Sequence, residues 1–369
     1  MNDESNKPSD AAVSATPTAW PGVIREYARF LPVTDATPIV TLNEGGTPLV
    51  RAENFVKAIG GDFELYLKYE GLNPTCSFKD RGMTMAVSKA KEREAKAVIC
   101  ASTGNTSAAA AAYAAKAGMK CVVLLPNGKI AQGKLAQALM YGAETIAIEG
   151  NFDEALRIVQ ELGQKDDFEV VNSVNPVRIE GQKTASFEIC DQLVRAPDFH
   201  FLPVGNAGNI TAYWKGFKEY YSVNLADRLP RMMGWQAAGA APIVDGAPVG
   251  NPDTVATAIR IGNPASWKQA VAAAKESNGA IRKVTDEQII DAYKQVARTE
   301  GIFVEPACAA PLAGLKLAVA AGEIPSGSVV TATMTGHGLK DPDLAIKESG
   351  FEPKIVAPTT EAVVAAIGG

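Results

Sequence analysis

The sequence predicts an α/β fold of two lobes, built from mostly parallel, twisted sheets flanked by helices. Three observations carry that expectation. Strand-like apolar runs alternate with helical stretches along most of the chain, the pattern of βαβ units. Several of those runs end in a polar or glycine-containing turn that opens a helix, the place where open α/β sheets gather ligands. A chain of 369 residues is also long enough for a large core and for division into two lobes.

The elements follow in order. Residues 64–70 alternate apolar and polar side chains and include two tyrosines, which favours a strand. Asn73-Pro74 then breaks the chain, and Ser77 with Asp80 three residues on reads as a capping pair that starts a helix. The short apolar run 97–100 leads into the polar turn 101–106 and an Ala-rich helix over 107–117, stopped by Gly118. Further strands are expected at 120–125, 144–149, 168–172, 199–204, 231–237 and 328–332. Helices are expected at 130–141, 153–162, 180–194, 210–221 and 286–299. No short-period repeat is present.

Composition narrows the function. An apolar fraction of 47% and a charged fraction of 21% are those of a soluble globular protein. A net charge of −5 argues against nonspecific nucleic-acid binding. Only two histidines occur, His200 and His337, so a multi-histidine metal centre or a histidine-based triad has little to draw on. The five cysteines (Cys76, Cys100, Cys121, Cys190 and Cys308) show no paired metal spacing and fit reduced thiols in the cytoplasm. No apolar run is long enough to cross a bilayer, because Lys116 interrupts the Ala-rich helix. Residues 1–20 are polar, lack the basic start and apolar centre of a signal peptide, and are expected to form a disordered tail.

Four segments carry the chemistry. Lys79 falls in the first turn of its helix, where the positive end of the dipole disfavours an ammonium and favours a reactive amine. The turn Ser102-Thr103-Gly104-Asn105-Thr106 offers hydroxyls, a carboxamide and helix N-terminal N–H groups. The loop Gly205-Asn206-Ala207-Gly208-Asn209 can aim successive N–H groups at one anion, without the spacing of a dinucleotide fingerprint or a nucleotide-triphosphate loop. The late strand ends in Thr335-Gly336-His337-Gly338, whose glycines let the backbone approach a flat ligand. Read singly, each has a plain alternative, a solvated lysine at a helix start for Lys79 and a turn without a ligand for the others; read together, they hold the parts required for pyridoxal phosphate.

At this point the chain resembles a known family. The stretch KYEGLNPTCSFKDRG over 68–82, the run STGNTSAA, the loop GNAGN and the end TGHGLKDPD look like the fold-type II pyridoxal-phosphate enzymes, the threonine synthases most closely, over about 27–352. The resemblance implies a Schiff-base and catalytic role for Lys79. It places Asn105 at the ring hydroxyl, residues Gly205, Asn206, Ala207, Gly208 and Asn209 on the phosphate, and Thr335 at the ring nitrogen. It implies conversion of O-phospho-L-homoserine and water to L-threonine and phosphate by γ-elimination and β-hydration, in a homodimer. That substrate needs two anion pockets. Ser102, Thr103, Asn105 and Thr106 are expected at its carboxylate, and Asn172, Ser173 and Arg178 at its phosphate, with the guanidinium binding in bidentate fashion. A smaller mobile lobe is expected over 86–183, inserted in a larger cofactor-binding lobe made of 21–85 and 184–369.

Some features stay open. The family usually has glycine where this chain has Cys76, so a positive backbone dihedral there would strain it. Asp80 and Arg81 are expected to pair or cap near Lys79; the segment 305–309 resembles one that lines the cofactor pocket, where Glu305 either orients other groups or is a buried or capping residue; and Lys68, Lys183 and Lys340 are candidate anion ligands among which the sequence does not choose. The nearest rivals are a threonine or serine dehydratase on the same scaffold, a cysteine-synthase-like enzyme, and a non-catalytic pyridoxal-phosphate-binding protein. The GNAGN loop and the TGHG end disfavour the first two.

Overall fold

Two sheets organise the chain. The computed structural model describes residues 19–127 and 132–367. Its strands, in chain order, are β1 (Leu49–Arg51), β2 (Glu64–Tyr69), β3 (Ala97–Ala101), β4 (Lys120–Pro126), β5 (Glu144–Ile148), β6 (Phe168–Val170), β7 (Phe199–Pro203), β8 (Arg231–Ala237), β9 (Ala280–Val284) and β10 (Val329–Met334). One sheet has the order β1-β2-β10-β7-β8-β9 and the other β5-β4-β3-β6. Every pairing is parallel except β1 with β2. The α/β architecture with mostly parallel sheets is therefore as expected. The second sheet is drawn wholly from 97–170, inside the interval expected for the smaller lobe.

Strands covered on both faces read as continuous apolar runs rather than alternating ones. β3, β7 and β10 are buried at every position, whereas the edge strand β5 is half open. The helices that matter for the site are Lys79–Glu92, Asn105–Ala117, Pro176–Leu193, Gly208–Ser222 and Pro306–Ala320. The Lys79 helix lies tightly on the Pro176 helix. A Cβ on Gly181 would stand 1.9 Å from the Arg81 carbonyl oxygen, so only glycine permits that approach.

A buried ionic cluster fixes the same junction. Arg81 bonds Glu70 (2.6 Å) and Glu188 (2.6 Å), and Lys68 bonds Glu188 (2.7 Å). Arg81 also donates to the Thr47 hydroxyl (3.1 Å), and Lys68 to the Thr47 carbonyl (2.7 Å) and the Gln192 side chain (2.9 Å). Desolvating such charges is costly, and this cluster offsets it by satisfying each one. Its charges tie β2, the Lys79 helix and the Pro176 helix in one register.

Some local expectations are corrected. Ser77 does not cap the Lys79 helix. Phe78 holds the N-cap position without a side-chain cap, and the Ser77 hydroxyl is buried without a partner among the described residues. Asp80 turns back instead to accept from the Thr75 N–H (2.7 Å) and the Thr75 hydroxyl. The helix expected from 180 begins at Pro176, because Asn175 accepts from the Val177 N–H (2.9 Å) and a proline suits the first helical position. The helix Pro306–Ala320 has no counterpart among the expected elements; Pro306 takes its first position, where proline is tolerated, and Pro311 lies within it. Residues 1–18 of the expected tail lie outside the described residues. Trp20, within the same expectation, is anchored by its indole N–H to the Glu44 carbonyl (2.8 Å). Among the described residues no helix is long and apolar enough to cross a membrane, and no cluster of His, Cys, Asp or Glu could hold a metal ion.

Candidate active site

The site forms where the carboxyl ends of three neighbouring strands meet. β2 and β7 flank β10 in parallel, so the segments that follow all three emerge at one edge. After β2 comes the loop that delivers Lys79, after β10 comes Thr335, and after β7 comes the 205–209 loop. The first two are stitched together: the Phe78 N–H donates to the Thr335 carbonyl (2.9 Å), and Ser77 bridges Gly336. The sequence expects these groups around one ring, and the sheet order puts the three segments that carry them at one edge.

Lys79 is the first residue of its helix, with its amine 4.2 Å from the centroid of the Phe78 ring. Among the described residues no carboxylate pairs with it. Burial, reinforced by the Arg178 charge and opposed by Glu305, lowers its pKa to about 7. A lysine so tuned is available as a neutral amine near neutral pH, as Schiff-base and proton-transfer chemistry require.

Arg178 is buried in the first turn of the Pro176 helix. Its Nη1 donates to the Val171 carbonyl (2.9 Å), while Nε and Nη2 have no partner among the described residues. Burial lowers its pKa to about 10. Two buried guanidinium donors without acceptors fit a bidentate oxyanion. On the adjacent turn Asn172 is committed elsewhere. Its carboxamide donates to the Ala101 carbonyl (2.9 Å) and accepts from the Ala101 N–H (3.0 Å). It thus joins the ends of β6 and β3 and positions the turn at 102–106; Ser173 lies half-buried beside it.

In that turn the Ser102 hydroxyl accepts from the Gly104 N–H (3.2 Å), and Gly104 leaves the Asn105 helix without a side-chain cap. The first N–H groups of that helix are therefore available to a ligand. Thr103 and Thr106 are half-buried at the same place. Asn105 donates to Glu305 (3.0 Å). In the 205–209 loop, Ala207 is left-handed at φ 64 and the helix begins at Gly208. That conformation turns consecutive N–H groups toward one point at the helix N-terminus. Asn209 is buried there, and neither carboxamide atom has a partner among the described residues. An anion nest, an orphaned carboxamide, a buried amine and a hydroxyl at Thr335 are the donor set that pyridoxal phosphate requires, and the residues fit it.

Two side chains outside the expected set lie in the same place. Glu305 bonds both Asn105 and Thr335, and Cys308 Sγ lies 3.4 Å from Thr335 Oγ1. The sequence showed the Glu305-Pro306 segment but not its partners. Lys68 belongs to the ionic cluster, and Lys183 bonds the Phe30 carbonyl (2.8 Å) and Glu180 (2.7 Å), so neither serves the site. Lys340 donates to Gln137 of the helix Gln132–Met140 and has a pKa lowered by burial.

Comparison with known proteins agrees with this geometry. The family model described as pyridoxal-phosphate dependent enzyme matches residues 40–336. A protein named threonine synthase from Synechocystis is 57% identical over 363 residues, covering 96% of this chain and 94% of the relative. One from Mycobacterium tuberculosis is 60% identical, covering 91% and 93%. One from Methanocaldococcus jannaschii is 54% identical, covering 89% and 83%. Among solved structures, a threonine deaminase from Solanum lycopersicum aligns with a TM-score of 0.73 at 23% identity, over 88% of this chain and 87% of that one. Maize serine racemase aligns with a TM-score of 0.71 at 20% identity, over 89% and 96%. At such identities the structural neighbours show the shared fold, and the sequence relatives show the branch. The chain belongs to the pyridoxal-phosphate dependent enzymes and, among them, to the threonine synthase family.

Proposed function

We propose that this protein converts O-phospho-L-homoserine and water to L-threonine and inorganic phosphate. The observation that carries the reading is Arg178, a buried guanidinium with two unpartnered donors whose charge acts on Lys79. A dehydratase acting on serine or threonine has no phosphate to offer it. When bound, pyridoxal phosphate supplies the electron sink for carbanion chemistry next to its imine.

The chain's own groups supply the rest. Gly205, Asn206, Ala207, Gly208 and Asn209 would hold the cofactor phosphate, and Asn105 and Thr335 would serve the ring hydroxyl and the ring nitrogen. The Lys79 amine, with a pKa of about 7, takes and returns protons at the substrate carbons. Ser102, Thr103, Asn105 and Thr106 bind the substrate carboxylate, and Arg178 with Ser173 grips its phosphate. Asn172 acts through the Ala101 backbone.

The reading includes a mobile lobe over 86–183, whose closure excludes water from the site. The Asn105–Glu305 and Lys340–Gln137 bonds link elements of the two sheets and support it. A cytoplasmic homodimer completes the reading. All five cysteines are free, which fits a reducing compartment, and the dimer follows the family resemblance.

A phosphate-release assay with O-phospho-L-homoserine tests the proposal. Phosphate and threonine are expected in equal amounts. Turnover of threonine or serine alone would make the protein a dehydratase, and a yellow holoprotein with no turnover would make it a carrier.

A further inference from the structure

Glu305 reaches both side chains that face the ring. Its Oε2 accepts from Asn105 Nδ2 (3.0 Å), and its Oε1 lies 3.2 Å from Thr335 Oγ1. The carboxyl is held from behind. The Glu305 N–H donates to the Gly336 carbonyl (2.9 Å), and a Cβ on Gly336 would stand 2.5 Å from the carboxyl carbon. The residue is 4% exposed, and among the described residues no lysine or arginine forms an ion pair with it.

Desolvation disfavours the charge of a carboxyl in such surroundings, and both of its side-chain hydrogen-bond partners are uncharged. Burial raises its pKa, against opposing effects from Asn105, Lys340, Thr335 and Lys79. The neighbouring Cys308 thiol is itself pushed up to about 12, chiefly by burial, so it brings no charge at neutral pH.

The proton on Glu305 decides what Thr335 can do, because a hydroxyl has one proton to give. Against a carboxylate, Thr335 gives that proton to Glu305 and can only accept from its other neighbour. Against a carboxylic acid, Thr335 accepts from Glu305, and its own proton is free for an acceptor on the ring side. We propose that Glu305 is a positioning residue which, as a neutral acid, donates to Thr335 and accepts from Asn105, directing the Thr335 proton at an unprotonated ring nitrogen. The inference rests on the reading of Asn105 and Thr335 as ring partners, and is independent of the choice of amino-acid substrate.

The test compares wild-type holoenzyme with Glu305→Gln and Glu305→Ala. The readouts are the pH titration of the cofactor chromophore, the cofactor dissociation constant, and kcat and KM measured separately. Glutamine reproduces the acid's pattern, donating through Nε2 and accepting through Oε1. It is expected to keep the wild-type titration and a cofactor affinity within about threefold. Alanine releases both partners; it is expected to weaken cofactor binding about tenfold and to move the chromophore pKa by about one unit, with KM changed less than about threefold. Glutamine behaving like alanine would overturn the proposal, since charge would then be the requirement. Alanine behaving like wild type would also overturn it.

If Glu305→Ala does not fold, infrared difference spectra of wild type and Glu305→Gln decide. A protonated-carboxyl stretch present in wild type and lost in the variant supports the proposal, and its absence from wild type refutes it. A wild type that binds cofactor without turning over O-phospho-L-homoserine would sink the substrate assignment and leave these readouts in force. A wild type with no chromophore would sink both.

Discussion

The Cys76 carbonyl accepts a hydrogen bond from the His337 N–H at 3.0 Å. The loop that delivers Lys79 is thereby clamped to the loop that carries Thr335, although the two lie at opposite ends of the chain. The clamp needs the Cys76 carbonyl turned outward from a tight turn, whose other bond is Cys76 N–H to the Asn73 carbonyl (2.8 Å). The backbone reaches that geometry with a left-handed φ of 64 at Cys76. A side chain in that region meets its own backbone, a cost that glycine avoids.

Cys76→Gly should therefore stabilise the protein. Relief of the left-handed conformation contributes about 1–2 kcal/mol, and the greater freedom of glycine in the unfolded chain takes back about 0.5–1 kcal/mol. A net gain of about 0.5–1 kcal/mol is expected in urea unfolding. A midpoint below wild type would show that the thiol contributes packing that outweighs the strain.

Arg178→Met should separate binding from stability. Methionine fills similar space without a charge, so the cofactor-free protein should become more stable once an uncompensated buried cation is removed. The phosphate grip should be lost with it, lowering kcat/KM for O-phospho-L-homoserine by about 100-fold, equivalent to about 3 kcal/mol, mainly through KM. Cofactor affinity should hold. Unchanged substrate kinetics would remove Arg178 from the site.

What was legible in the sequence follows from what is local. The turns after β2, β3, β7 and β10 were visible because each strand-to-helix switch is written in adjacent residues, and the fold places ligands there. Cap chemistry at Ser77 was misread because Asp80 finds Thr75, five residues back, instead. Glu305 stayed balanced between an orienting role and a buried or capping one, because its partners lie 200 and 30 residues away and a glutamate before a proline also suits a helix start. Lys68 looked like a candidate anion ligand until Glu188, 120 residues on, was found beside it. Such pairings arise only when the strand order is known.

Asn172→Ala tests whether a residue expected to touch substrate works instead through the scaffold. Losing both bonds to Ala101 exposes its backbone groups to an apolar side chain and should destabilise the protein by about 1–3 kcal/mol. The Ser102–Thr106 turn would lose its anchor, so KM should rise for substrate analogues with and without the phosphate. A rise confined to the phosphorylated substrate would restore Asn172 to the phosphate pocket.

The lowered pKa of Lys79 has a consequence for stability in the cofactor-free protein. Its folded value is about 7 and its ordinary value is 10.5. Between those limits the unfolded chain binds the proton more tightly than the folded one, so unfolding takes up protons and stability rises with pH. Below about pH 7 both states carry the charge and the full burial penalty is present. Across the window the slope from this group approaches about 1.4 kcal/mol per pH unit. Lys79→Met should abolish that rise and make the cofactor-free protein more stable than wild type at pH 7, measured by urea unfolding between about pH 7 and pH 10.5. If the variant keeps the wild-type slope, the amine is solvated and charged in the folded state, and Lys79 loses the property that suits it to its chemistry.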